Sequence, residues 1–200
     1  MRKNQTTISL QRIVFLFVGA LLIVSTYAQT NYTAKNNISL VISGTSTLHD
    51  WDMKSSNGDF NGQFTLNAAG VITALHSITF STNVLELKSG KGAMDKNAYK
   101  ALKTEKAPLV NFQSNSNTVT NLNGGNFLVK AIGKLTLAGT TRDAEVVATC
   151  KVNTDKTITV TGTKKISMKE FAMEPPSFMM GTIKTGNDVT LNFEFKLTSH

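Results

Sequence analysis

A single cysteine among 200 residues leaves no partner for an internal disulfide, a Cys-based zinc site or a Cys-x-x-Cys redox pair. Charge is also scarce: 17% of residues are charged against 40% hydrophobic, a balance that excludes a disordered chain. No segment has the form of a Gly-rich phosphate loop, a nucleophile elbow or a paired-carboxylate hydrolase. Tandem repeats, low-complexity stretches and a dividing linker are absent as well. What remains is enough apolar material for a sizeable core in one domain.

The formal net charge of +8 invites a nucleic-acid reading, so the position of the charges matters. Arg2, Lys3 and Arg12 precede Ile13–Val24, an unbroken apolar run of 12 residues, and Ser25-Thr-Tyr-Ala28 follows it with small residues at Thr26 and Ala28. Residues 1–28 therefore read as a cleaved secretory signal peptide, with Gln29 as the mature N-terminus. The run is short of the ~20 residues that span a bilayer, and no basic cluster follows it, so the mature chain is not expected to be an integral membrane protein. Without the leader, 18 basic residues face 13 acidic ones, and only one of the 18, Arg142, is an arginine. A dispersed +5 with no basic run beyond Lys164-Lys165 is a poor nucleic-acid footprint.

From Ile38 onward the chain alternates with period two. Val189, Leu191, Phe193, Phe195 and Leu197 interleave with Thr190, Asn192, Glu194 and Lys196. Phe127, Val129, Ala131, Leu135 and Leu137 form a second such face, and Ala144, Val146, Ala148, Cys150 and Val152 a third. Ile158, Val160, Ile166 and Met168 stand against a threonine ladder at 157, 159, 161 and 163. Further strands are expected at roughly 38–47, 59–67, 71–83 and 108–115, making about eight in all. Long one-sided strands must bury their apolar faces against one another, so a closed barrel or a sandwich follows. Only Gly92–Lys103 departs, with Ala93, Met94, Ala98, Tyr99, Ala101 and Leu102 near helical spacing; Pro108 requires this short inserted helix to end before it.

Several groups invite a chemical reading. His49-Asp50-Trp51-Asp52 sets a histidine beside two carboxylates, a combination suited to metal binding or acid–base work. In extended chain the two aspartates point away from His49, and the competing reading is a bend with Trp51 packed. His76 shares parity with Ala74 and Ile78, which would turn it toward the apolar side. Cys150 lies on an apolar face, where a thiol behaves as a small hydrophobe. Lys164 has the parity of Val160, Ile166 and Met168 and would point inward, unless a bulge at Gly162 reverses the register. The segment Phe171–Gly181 is stiffened by Pro175 and Pro176 and carries Met173, Phe178, Met179 and Met180; an apolar loop either closes the end of the fold or touches a ligand.

An ordered set of segments then resembles the YceI-like family of exported lipid-binding proteins. Ala107-Pro-Leu-Val-Asn-Phe-Gln-Ser114 is similar to its strand after the helix, and Ala131-Ile-Gly-Lys-Leu-Thr-Leu-Ala-Gly-Thr-Thr141 to its Gly-x-Leu-Thr hairpin. Met168-Lys-Glu-Phe171, the Pro175-Pro176 loop and Gly181-Thr-Ile-Lys-Thr-Gly186 resemble its closing region, and Gly44-Thr-Ser-Thr-Leu-His-Asp-Trp51 the opening strand of a subgroup. The resemblance runs from about residue 36 to 198. It implies an all-β, antiparallel, lipocalin-like eight-stranded barrel with the one short inserted helix, occupying 29–200. It further implies a periplasmic or secreted, non-enzymatic protein that holds an isoprenoid or similar long-chain lipid, with no cofactor.

On that reading the inward-parity residues Phe60, Phe64, Ile78, Phe80, Phe112, Val129, Leu135, Val146, Lys164, Ile166, Met168 and Phe193 are the candidate lining, joined from the loop by Phe171, Met173, Phe178 and Met180. Two rivals are weighed against a lipid carrier. One is an envelope or stress interaction protein whose barrel is filled by side chains; the other is a metal-dependent enzyme using His49, Asp50 and Asp52. A homodimer is compatible with any of the three.

Overall fold

The computed structural model describes residues 29–35, 37–178 and 180–200. The leader expected at 1–28 lies outside the described residues. In chain order the described elements are β1 (Gln29–Lys35), β2 (Ile38–Ser46), β3 (Trp51–Ser55), β4 (Asp59–Leu66), β5 (Ile72–Asn83), a 3-10 turn at Val84–Glu86, then α1 (Gly92–Ala101). They continue with β6 (Leu109–Asn123), β7 (Asn126–Leu137), β8 (Thr140–Val152), β9 (Ile158–Ser167), a second 3-10 turn at Met168–Phe171, β10 (Ser177–Phe178) and β11 (Ile183–Ser199).

β1 and β2 run one after the other along the same edge of β11, first through Tyr32↔Ser199 and then from Phe195↔Ile38 to Thr185↔Ser46. β3 and β4 follow that pair on its other side, β3 along β2 and β4 along β1. Each bent pair fills one place in a ring that continues through β5, β6, β7, β8, β9 and β11. The result is an eight-stranded antiparallel barrel, as expected. Closure removes the exposed strand edges that would otherwise template aggregation.

The alternation places the core where the sequence predicts it. Along β7 the odd positions from Phe127 to Leu137 are buried, and the even ones are not. At the end formed by β1, the β6–β7 hairpin, the β8–β9 turn and the C-terminal part of β11, packing is solid. Phe64, Phe127, Ile158 and Leu197 are at most 1% exposed. Each such side chain contributes about 1.5–3 kcal/mol by burial. Tyr32 meets Phe64 edge-on at 5.5 Å between ring centroids, and its burial raises the phenol above its ordinary range. Above this plug Phe195 stacks on Phe80 and Phe193, with centroids 5.4 and 5.3 Å apart.

Three expectations need correction. β1 is a strand although only Tyr32 and Ala34 mark an apolar face; its register is imposed by β4 and β11 together. β6 extends to Asn123 because β7 pairs with it as far as Asn126. His76 is exposed rather than inward, because the pairing steps from Gln63↔Ser77 to Phe64↔Leu75 and leaves His76 as the extra residue of a bulge. Its ring sits 2.9 Å from the Thr65 hydroxyl.

Candidate functional site

Above the Phe80–Phe193–Phe195 layer the barrel is hollow. A cavity of about 460 Å³ extends from this aromatic floor to the opposite end, within the ~300–1,000 Å³ typical of small-molecule sites. This corrects the side-chain-filled alternative: the interior is packed at one end only.

All eight ring positions line the cavity, because every strand turns its apolar parity inward. Phe60, Phe64, Ile78, Phe80, Phe112, Val129, Leu135, Val146, Lys164, Ile166, Met168, Met173, Phe178 and Phe193 all border it. Lys164 has the inward parity because β9 and β11 pair without a break from Asp188↔Ser167 to Leu197↔Ile158, so Gly162 carries no bulge. Gly162 instead makes room: a Cβ there would stand 2.3 Å from Cζ of Phe193, whose ring lies over it.

Phe171 and Met180 do not line the cavity. The β8–β9 ladder ends at Ala148↔Gly162, and the Met168–Phe171 turn occupies the wedge beyond it, where Arg142 Nε donates to the Glu170 carbonyl at 2.9 Å. Phe171 is buried there in a cluster with Phe112, Leu137, Ala144 and Met168. Met180 has a positive φ of 57° in the turn before β11 and is fully exposed.

The open end is built from three segments. The β2–β3 loop is held by Trp51 Nε1 donating to the Thr45 carbonyl at 3.0 Å and by Thr47 N donating to the Lys184 carbonyl at 3.0 Å. The Trp51 ring occupies the space in front of Gly44, where a Cβ would lie 2.2 Å from Cζ2. Helix α1 presents Met94, Asn97, Ala98 and Ala101, an i, i+3, i+4, i+7 face, to the cavity. No residue of α1 is fully buried; it is tethered by its ends. Asp95 accepts from Ser89 N and Oγ at 2.8 and 2.6 Å, which holds its carboxyl below the usual range, and Lys103 Nζ donates to the Ala172 carbonyl at 2.8 Å. Pro176 and Phe178 form the third side. Leu48, His49 and Lys91 line this end and are exposed, so the cavity reaches the surface here. The sequence reading did not assign the α1 face or Trp51 to the site. The helical spacing of 94, 97, 98 and 101 was the available signal.

His49 and the neighbouring aspartates do not converge. His49 Nδ1 lies 2.7 Å from the Asp50 carbonyl oxygen, Asp52 pairs with Lys54 at 3.1 Å, and among the described residues no three His, Cys, Asp or Glu side chains form a group able to hold a metal.

Cys150 borders the lower cavity at 2% exposure, and burial pushes its thiol up to about 12. At pH 8 the thiolate fraction is then on the order of a thousandfold below that of a free cysteine. Alkylation by iodoacetamide should accordingly be slower by about that factor in the folded protein than in urea. Comparable rates in the two states would mean that the barrel wall opens readily at β8.

These features define an antiparallel β-barrel of the kind that encloses one small-ligand cavity. Among the described residues no helix is long and apolar enough to cross a membrane. A model of the YceI-like domain matches residues 29–197, and the chain belongs to the YceI-like family. The fold is similar to that of BcnA from Burkholderia cenocepacia, at 17% identity and a TM-score of 0.58 over 80% of this chain and 96% of that one. It is similar also to a polyisoprenoid binding domain from Saccharophagus degradans, at 12% identity and a TM-score of 0.62 over 86% and 100%. The YceI protein of Campylobacter jejuni aligns at 16% identity and 0.51 over 72% and 84%. At these identities the likeness concerns the fold. Comparison with curated proteins gave no match.

Proposed function

We propose that the protein is an exported, non-enzymatic carrier or sequestering protein that holds an isoprenoid or similar long-chain lipid inside its barrel, in the periplasm or outside the cell. The observation that carries this reading is the apolar cavity, closed by aromatics below and open beside α1. Each methylene buried in such a site contributes about 0.8 kcal/mol, so a long tail needs few polar contacts to bind. From the Phe193 floor to the Thr185 rim β11 runs eight residues, roughly 26 Å at ~3.3 Å each, and a slender chain can lie along that length. The Saccharophagus relative, described as polyisoprenoid-binding, supports the same ligand class. Export is supported by the apolar run at 13–24 behind Arg2, Lys3 and Arg12. A binding rather than a catalytic role is supported by the likeness to a polyisoprenoid binding domain.

Native mass spectrometry of the purified protein, followed by solvent extraction, tests the reading. A co-purifying long-chain lipid, or stoichiometric uptake of an added polyprenol, is the expected result. A protein that takes up neither overturns it.

A further inference from the structure

Lys164 is the cationic side chain that β9 turns into the cavity wall. It sits across from Leu191, which in turn pairs with Ile42, at a level between the Phe193 floor and the Thr185 rim. Its neighbours along the inward face of β9 are Val160, Gly162, Ile166 and Met168, and the residues bordering the cavity include no aspartate or glutamate. Among the described residues Lys164 makes neither an ion pair nor a side-chain hydrogen bond, whereas Lys54, Lys130, Lys134 and Lys196 each reach a carboxylate. The remaining cavity-lining lysine, Lys91, is exposed at the rim.

Lys164 is half-buried among apolar side chains, where an ammonium has lost part of its hydration without gaining a counter-charge, and an anion entering beside it supplies one. The apolar wall weakens dielectric screening, which strengthens a charge-assisted hydrogen bond formed there. We infer that Lys164 is the head-group site of the cavity and selects a ligand whose long apolar tail ends in an anionic oxygen group, a phosphate monoester or a carboxylate. This inference rests on the lipid-binding reading above. The tail fills the apolar chamber around Phe80, Phe112 and Val129, while the head group lies at the level of Lys164 and Leu191.

The test compares four probes on the full protein below their micellar concentrations: farnesyl phosphate and its neutral alcohol farnesol, and palmitate and its neutral alcohol hexadecanol. Each anionic probe should bind about ten- to a hundredfold more tightly than its alcohol, the range of a charge-assisted hydrogen bond. A preference for phosphate alone identifies a prenyl or lipid phosphate as the source, and a preference for palmitate alone a fatty acid. Lys164→Met should erase the preference while leaving farnesol bound at least as well as before, and Lys164→Arg should retain it. Lys165→Met, on the exposed outer face of β9, should change neither. Equal binding of anionic and neutral probes by the unaltered protein, or a preference that survives Lys164→Met, overturns the assignment and leaves the lipid-binding reading standing. Binding of no probe of either kind overturns both.

Discussion

Gly133→Ala is expected to lower the melting temperature by roughly 6–12 °C, the equivalent of about 3 kcal/mol in a domain of this size. Gly133 lies in β7 opposite Ser114, where the pairing with β6 shifts register between Ser114 and Ser116. A Cβ at this position would stand 2.1 Å from the Gln113 carbonyl oxygen and 2.7 Å from Ser114 Cα. Both are backbone atoms, so no rotamer change relieves the contact. β6 cannot simply retreat, because Gln113 also pairs with Thr79 of β5, and Ser114 Oγ accepts from Ile78 N at 2.8 Å. Alanine in place of glycine within a strand would otherwise stabilise by about 0.5–1 kcal/mol, which the clash outweighs. Gly92→Ala, at the first position of α1 with open space around it, is the matched control and should melt at or slightly above the unaltered protein. A Gly133→Ala protein that melts with the control would show that β6 and β7 have slack at this bulge.

The barrel was legible because burial and parity agree on most strands. β7, β8, β9 and the part of β11 from Val189 onward each keep one parity along their inward faces, so Val129, Val146, Lys164 and Phe193 could be placed by counting in twos. Counting fails where the partner strand decides. On β5 the inward residues are Ile72, Leu75, Ile78, Phe80 and Thr82, and the two steps of three arise from two irregularities against β4 that no feature of β5 alone announces. That is how His76 was turned the wrong way. β1 is the opposite case: Gln29–Lys35 has little apolar character of its own and becomes a strand because it bridges β4 and β11. In the loop before β11 periodicity gives no guidance. Ala172 and Met180 both adopt positive φ, which sends Phe171 into the β8–β9 wedge and Met180 to solvent, whereas Met173 and Phe178 meet the cavity.

The charge distribution shows a further gain from the structure. Residues 88–106 contain six lysines against Asp95 and Glu105, so +4 of the +5 left after the leader is concentrated in and around α1. Sequence reading treated that excess as dispersed. The fold gathers it beside the cavity mouth, where a field of one sign raises the local concentration of anions.

Filling the chamber should separate ligand binding from stability. Val146 and Leu191 are half-buried, face inward from β8 and β11, and border the cavity where it meets the packed core. In the double variant Val146→Trp/Leu191→Trp the indoles occupy space that is otherwise free of protein atoms. Denying a ligand the burial of only four methylenes removes about 3 kcal/mol, a loss of about 200-fold in affinity. The melting temperature should hold or rise, because a cavity costs stability in proportion to its volume and the plug removes part of that cost. Titration with farnesol or palmitate, followed by a thermal melt, measures both quantities on one sample. Leu128→Trp, on the outer face of β7 at 37% exposure, adds the same kind of ring outside the barrel and should leave both unchanged. Undiminished lipid binding by the double variant would place the ligand elsewhere on the molecule. Lost binding accompanied by a large drop in melting temperature would instead mean that the chamber is held too tightly by its wall to admit a ligand at all.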